Sequence, residues 1–404
     1  MITVAEALSL IGELEPLGTE SVPVGEAAGR VLAQEIRADR DWPPFETSAM
    51  DGYAVRLADV PASGTTLSER SRLVAAGDAP PAAIAAGEAV RVMTGAPLPE
   101  NTEAVIPVEQ ARREQGRVRF EAVPAPGAHL RRRGEILSAG ASLLPQGRRL
   151  ASSDLALVAF AGADPVSVFR RPRIAISVTG NEIVPPSSAP APGQLRDTNG
   201  PMLAGLCRAR GWTPTAAGRV ADDARSVERL FTEAGRGEDL LVTTGGVSAG
   251  DLDLLPSAAA KAGFEILFHK VSIRPGKPVA FGRREATFWL GLPGNPVSAA
   301  VCFHLFGREL VGRLEGEADP ALPRITARLT LPLPATGPRE TYHDALWSVF
   351  DGESRVEPLA SKGSHDIGAY ARANALLRVP AGSPRLQAGS LVECLLVGPA
   401  QGLP

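Results

Sequence analysis

Apolar residues fall along this chain in two rhythms, and the places where the rhythm changes divide it into zones. From about residue 171 to 316, short β-branched or aromatic runs alternate with stretches of helical spacing. RIAISV leads to GPMLAGLCRARG, TPTAAGRV to DDARSVERLFTEAG, DLLVTTGG to LDLLPSAAAKAG, and TFWLGLPG to NPVSAAVCFHLFGREL. Strand then helix, repeated, predicts a doubly wound parallel sheet with helices on both faces. From about Ile325 onward the runs ITARLTLPL, HDALWSVF, SRVEPL, ALLRVP and SLVECLLV read as strands alone, which predicts a small β barrel-like or sandwich domain. At the front, MITVAEALSLIGEL has helical spacing around Ala7, Leu8 and Ile11, and Thr3 with Glu6 forms a capping-box pattern. GEAAGRVLAQEI and SSDLALVAFAGA also read as helix-like, the latter packing with the first zone. Between them, Pro and Gly punctuate the short segments RLVAAG, AVRVMTG, AVIPVE and RVRFEAV, the pattern of a small β domain. The expected architecture is multidomain α/β plus β. An N-terminal region, 1–170, has a helical part (1–40 and 134–170) carrying an inserted β domain at about 41–133. A central α/β domain, 171–316, and a C-terminal β domain, 325–404, follow.

Composition adds constraints. At 404 residues and 44% hydrophobic, the chain can fill several cores. A net charge of -3 provides no global field toward nucleic acid or membrane, and no stretch approaches the roughly 20 apolar residues of a membrane span. Cys207, Cys302 and Cys394 are far apart and lack metal-ligand spacing, as expected of reduced thiols in a cytoplasmic protein.

The chemistry concentrates in glycine-rich turns, each directly after an apolar run: SVTGNEI, TTGGVSAGDLD and GLPGNPVS. The pair Gly245–Gly246 lets backbone N–H groups converge on an anion, and Thr243, Thr244 and Ser248 add hydroxyls; such a pair also serves as a plain tight connection. Asp251 and Asp253 suit a cation placed between carboxylate and phosphate, with helix capping the competing role of Asp251. Only four lysines occur, and Lys270 and Lys277 both fall in HKVSIRPGKP, where a compact ammonium beside Arg274 suits an oxyanion. Pro293 and Pro296 stiffen the third turn and place Ser298 in the first turn of the next helix. In PPFETSAMDGYAV, Asp51 is either a turn residue or a functional acid, and Thr94 in RVMTGAP ends a strand. The run Arg131-Arg132-Arg133 either holds a phosphate or simply solvates a surface.

Taken in order, PPFETSAMDGYAV, RVMTGAPLP, RRRGE, SVTGNEI, DTNGPML, TTGGVSAGDLD, RPGKPVAFG and GLPGNPVSA resemble the bacterial MoeA and gephyrin E-domain family across nearly the whole chain. The resemblance implies a molybdopterin-binding α/β domain in a molybdopterin molybdenumtransferase. Such an enzyme inserts molybdate into adenylylated molybdopterin with Mg²⁺-dependent release of AMP. It also implies a homodimer whose site joins the α/β domain of one subunit to N-terminal segments of the other, with the molybdopterin-adenylylating protein and client molybdoenzymes as further partners. By the same resemblance Asp253 is the essential carboxylate, with Glu182 and Asp222 as further acids for the metal. Lys270 and Lys277 are basic site residues, and Asp51 and Thr94 reach the partner's site. Arg339 and Ser364 lie in the region where the family contacts molybdate.

The chain departs from the family pattern at Ile136, where a second acid is usual, at Asn181 in place of Asp, at Arg274 in place of Lys, and at Asp344 in place of a basic residue. These departures leave a second expectation open: a non-catalytic paralogue that binds molybdopterin or a client protein as a scaffold or carrier.

Overall fold

The computed structural model describes residues 1–234, 236–247 and 254–398. Helix α1 (Val4–Gly12) starts as its capping box requires: Thr3 N–H donates to Glu6 Oε2 at 2.7 Å, and Glu6 N–H donates to Thr3 Oγ1 at 3.2 Å. Its buried face, Val4, Ala7 and Ile11, packs with Ile174, Phe306 and Leu310 of the central domain. The neighbouring segment GEAAGRVLAQEI forms only one 3₁₀ turn, Val24–Glu26, rather than the expected helix. Gly29 takes φ 73°, which ends helical winding, and Val31 and Leu32 then make bridges to Arg149 and Val168. Val22, Leu32 and Ile36 form a core with Leu144, Leu150, Val158 and Val166, so helix α2 (Asp154–Phe160) does pack with the first zone. Between these parts stands a six-stranded sheet, in the order Ala104–Pro107, Gly52–Val55, Glu88–Val92, Thr66–Glu69, Arg117–Phe120, Ala111–Glu114.

The central domain has strands β1 (Ile174–Thr179), β2 (Thr215–Val220), β3 (Leu240–Thr244), β4 (Glu265–His269), β5 (Ala280–Arg284) and β6 (Thr287–Leu292), arranged β2-β1-β3-β6-β5-β4. The pairs β2–β1, β1–β3 and β3–β6 are parallel, whereas β6–β5 and β5–β4 are antiparallel. Alternation along β1 divides the core. Ile174 and Ile176 face α3 (Asn199–Arg208) and α6 (Pro296–Cys302), and Ala175 faces α4 (Ala224–Glu233) and α5 (Leu254–Lys261). After α6 a π turn, Phe303–Gly307, leads into α7 (Arg308–Leu314).

The last part is a closed barrel. Strands β7 (Arg324–Leu329), β8 (Glu340–Phe350), β9 (Glu353–Pro358), β10 (Ala375–Val379) and β11 (Leu391–Leu396) run β8-β9-β7-β11-β10, and β10 pairs back onto β8. Closure removes the sheet edges and encloses Leu329, Ala345, Val356, Leu377 and Cys394. Ile273 and Arg274 pair with Glu340 and Thr341 of β8, tying a loop of the central domain to the barrel. Helix α8 (Ile367–Arg372) packs against β8. No helix among the described residues is long and apolar enough to cross a membrane.

Candidate active site

Strands β1, β3 and β6 are parallel and end at the same edge of the sheet, where doubly wound folds open a crevice. Their three turns enclose a cleft of about 840 Å³, lined by Glu182, Asp222, Gly245, Gly246, Pro293, Pro296 and Ser298, and also by Asn199, Thr244, Asn295 and His365. Gly245 has φ 92°, and a Cβ there would stand 2.6 Å from Thr179 Oγ1 and 2.7 Å from the Thr179 carbonyl, so only glycine lets the turn lie against β1. Asn199 fastens the turns together: its amide donates to Thr244 Oγ1 at 2.7 Å and to the Gly294 carbonyl at 2.8 Å. Thr244 Oγ1 in turn donates to the Pro293 carbonyl at 2.9 Å. Thr243 is spent elsewhere, accepting from Trp289 Nε1 at 2.9 Å in the core.

Two acids meet at the cleft. Asp222 titrates above the ordinary carboxylate range, through partial burial and then the negative charge of Glu182. Asn181 Oδ1 accepts from Asp222 N–H at 3.2 Å, so the amide still fixes this loop although the charge of an acid is absent. A pair of carboxylates that repel each other suits a divalent cation. No group of three or more His, Cys, Asp or Glu among the described residues is arranged to hold a metal. Asp253, with Asp251 and Ser248, lies outside the described residues.

Beside the cleft is a second cavity of about 240 Å³, lined by Arg274, Val297, Thr341, His343, Asp344, Ser361 and Ser364. The RPGKP loop runs between the two, with Arg274 and Pro275 in the wall of the second and Pro278 in the wall of the first. The other divider is the start of α6, held where Asn295 Nδ2 donates to Ser364 Oγ at 2.9 Å and Val297 N–H to the Ser364 carbonyl at 3.1 Å. Arg274 and Lys277 are exposed, whereas Ser298 is buried in the cleft wall.

On the N-terminal region, Asp51 Oδ1 accepts from Thr94 N–H at 2.7 Å and from Thr94 Oγ1 at 2.8 Å, bonds that hold its carboxyl below the usual range. Neither residue lines the cleft or the second cavity. In the arginine run, Arg133 pairs with Asp41 at 2.6 Å and Glu135 Oε2 accepts from Arg132 N–H at 2.8 Å, while Ile136 is exposed.

Comparison with known proteins decides the family. Residues 2–162 match the MoeA N-terminal region (domain I and II), residues 175–313 the "Probable molybdopterin binding domain", and residues 326–397 the MoeA C-terminal region (domain IV). The molybdopterin molybdenumtransferase of Haemophilus influenzae is 34% identical over 97% of this chain and 98% of its own length. That of Bacillus subtilis is 32% identical over 99% and 95%. A crystal structure of the molybdopterin biosynthesis MoeA protein of Pyrococcus horikoshii superimposes with a TM-score of 0.84 at 30% identity, covering 100% of both chains. The chain belongs to the MoeA family.

With that membership the chain is a transferase-family member of molybdenum cofactor biosynthesis. In this MoeA-family chain the fold gathers Glu182, Asp222, Gly245, Gly246, Pro293, Pro296 and Ser298 in one cleft, and Arg274 with Ser364 in the adjoining cavity. Three basic candidates lie beside these cavities rather than in their walls. Arg339 Nη1 donates to the Ile273 carbonyl at 3.4 Å, Lys270 (φ 73°) is tied through its backbone to Ile2 and Val279, and Lys277 is held by its carbonyl to Val271 N–H at 3.0 Å. Sequence reasoning missed Asn199, Asn295 and His365 as cleft residues. Asn199 stands in the quoted DTNGPML motif and Asn295 in GLPGNPVSA, so their signals were present; His365 depends on contact between α6 and a loop about 70 residues away.

Proposed function

We propose that this chain inserts molybdate into adenylylated molybdopterin with release of AMP. The observation that carries the reading is the junction itself: a large cleft of glycine turns and acids opens beside a smaller cavity bearing Arg274 and Ser364. The pterin nucleotide occupies the cleft, with its phosphates against Gly245 and Gly246. Pro293 and Pro296 keep the third turn rigid and Ser298 supplies a hydroxyl at its wall. Molybdate, a tetrahedral dianion, takes the side of Arg274, Lys277, Arg339 and Ser364, with Lys270 close behind. Glu182, Asp222 and Asp253 would hold Mg²⁺, which supplies Lewis-acid stabilisation of phosphate charge. AMP leaves when a water or molybdate oxygen attacks phosphorus in line with the leaving oxygen. Asp51 and Thr94 serve the site of the other subunit in a cytoplasmic homodimer, which receives substrate from the adenylylating protein and passes product to client molybdoenzymes.

The test is AMP release from adenylylated molybdopterin, with and without molybdate and Mg²⁺. Release should require both, and Asp253→Ala should lose it by about 100-fold or more. Undiminished release by Asp253→Ala would sink the mechanism. The scaffold reading expects tight pterin binding with no AMP at all. Its support was the loss of acids at 136 and 181; Asn181 still anchors Asp222, which favours turnover.

A further inference from the structure

Asp344 is a buried acid for which the proposed reaction has no use. It stands on β8 with 6% of its surface exposed, in the wall of the cavity that also holds Arg274, Ser361 and Ser364. Its Oδ1 has no hydrogen-bond partner among the described residues. A buried carboxyl without a partner is costly, more so when ionised. The titratable groups on the elements packed around it are engaged elsewhere, and exposed Lys362, flanked by the wall residues Ser361 and Gly363, is the further cation nearby. Asp366, at the head of α8, has its carboxylate tied to Lys362 N–H at 3.0 Å and Ala369 N–H at 3.2 Å. Tyr370 on α8 shares a hydrogen bond of 3.0 Å with His304 Nε2, and burial leaves His304 neutral. His343, the next residue on β8, is also held toward its neutral form, by burial and then by Arg274. That leaves Arg274 as the charged cation of this cavity among its described wall residues.

We propose that Asp344 is a binding residue for the oxyanion in this cavity, donating a hydrogen bond to it as the carboxylic acid and repelling it as the carboxylate. A tetrahedral oxyanion offers acceptors only, so a protonated carboxyl complements it and an ionised one cannot. Burial, then the charge of Asp366, raises Asp344 to about 6, which keeps the acid form accessible near neutrality. Anion binding is therefore coupled to uptake of one proton.

The inference rests on the reading that the Arg274–Ser364 cavity receives molybdate, and the test separates the two. Sodium molybdate is titrated calorimetrically into the full chain between pH 6 and pH 8, in buffers of different ionisation heat. Apparent affinity should fall about 50-fold across that range, with close to one proton taken up at pH 8. Asp344→Asn keeps a donor permanently and should bind with no more than about threefold change over the same range. Its profile also corrects for any proton chemistry of molybdate itself. Equal pH slopes in wild type and Asp344→Asn would overturn the proposal while leaving the site reading intact. Undiminished binding by Arg274→Ala at every pH would overturn the site reading, and this inference with it.

Discussion

Gly276 carries two constraints at one position. Its φ is 112°, and a Cβ there would overlap the Cys302 sulfur, which already approaches the Gly276 carbonyl at 3.5 Å. Gly276→Ala should therefore cost about 2–4 kcal/mol of stability, read by urea unfolding, and should displace Lys277 and Arg274 together. Cys302→Ala in the same chain should recover part of that loss by opening space, but none of the backbone strain. Asp344 gives a second residue-scale prediction, on stability rather than binding. Its folded-state carboxyl sits at about 6 against an ordinary 3.8, so the folded state holds the proton more tightly than the unfolded one. Stability from this group is full below the ordinary value and is lost as pH rises through about 6. Asp344→Asn should hence stabilise the chain at pH 7.5 by about 2–3 kcal/mol and leave it unchanged at pH 3.5. Denaturation of both proteins at the two pH values checks this, and a gain of equal size at both would refute it.

Elements meet here through buried charges as much as through apolar faces. Arg149, from the N-terminal region, reaches Glu315 at 2.6 Å and Glu317 at 2.8 Å just beyond α7. Arg210 joins Glu317 at 2.6 Å, and Trp212 Nε1 donates to Glu315 at 2.8 Å. Glu315 has no exposed surface, so Glu315→Ala leaves the buried Trp212 indole N–H without its acceptor and takes from Arg149 one of its two carboxylates, while Glu317 and the Gly29 carbonyl remain. It should lower stability by about 1–3 kcal/mol in chemical denaturation, and a loss under about 0.5 kcal/mol would show that the junction relaxes around the gap. The same contrast between local and distant interactions explains what the sequence reveals. Runs such as RIAISV and HDALWSVF announce strands because alternation and β-branching are local properties, and the capping box of Thr3 and Glu6 is equally local. The glycine turns were legible as a cradle because Gly245 needs its φ whatever surrounds it. Closure of the barrel was less so, since it depends on β10 returning to β8, and so was the seat of α1 on the central domain. GEAAGRVLAQEI shows the reverse case: its apolar spacing suits a helix, and the backbone at Gly29 prevents one. Of the site, the acids and glycines were readable, while the wall formed by Asp344, Ser361 and Ser364 arises only when the barrel meets the RPGKP loop.

At the scale of the whole molecule, the N-terminal pair and the cleft pose a question of geometry. Asp51 and Thr94 bond each other and line neither cavity of their own chain, yet they belong to the motifs that carry the family likeness. If they act in the reaction, a second subunit must bring them to the cleft, and a symmetric dimer would do so twice. Mixing two inactive variants decides this. In a heterodimer of an Asp51→Ala chain and a Lys277→Ala chain, sites shared between subunits are unequal: one combines both substitutions and the other contains neither. Sites confined to one chain would each carry one substitution and both would be dead. After subunit exchange at equal amounts, heterodimers make up half the population, so AMP release should recover to about a quarter of the wild-type rate. No recovery, with heterodimers confirmed by mass, would place Asp51 outside the partner's site and return it to the role its bonds to Thr94 already explain, a residue that closes a turn.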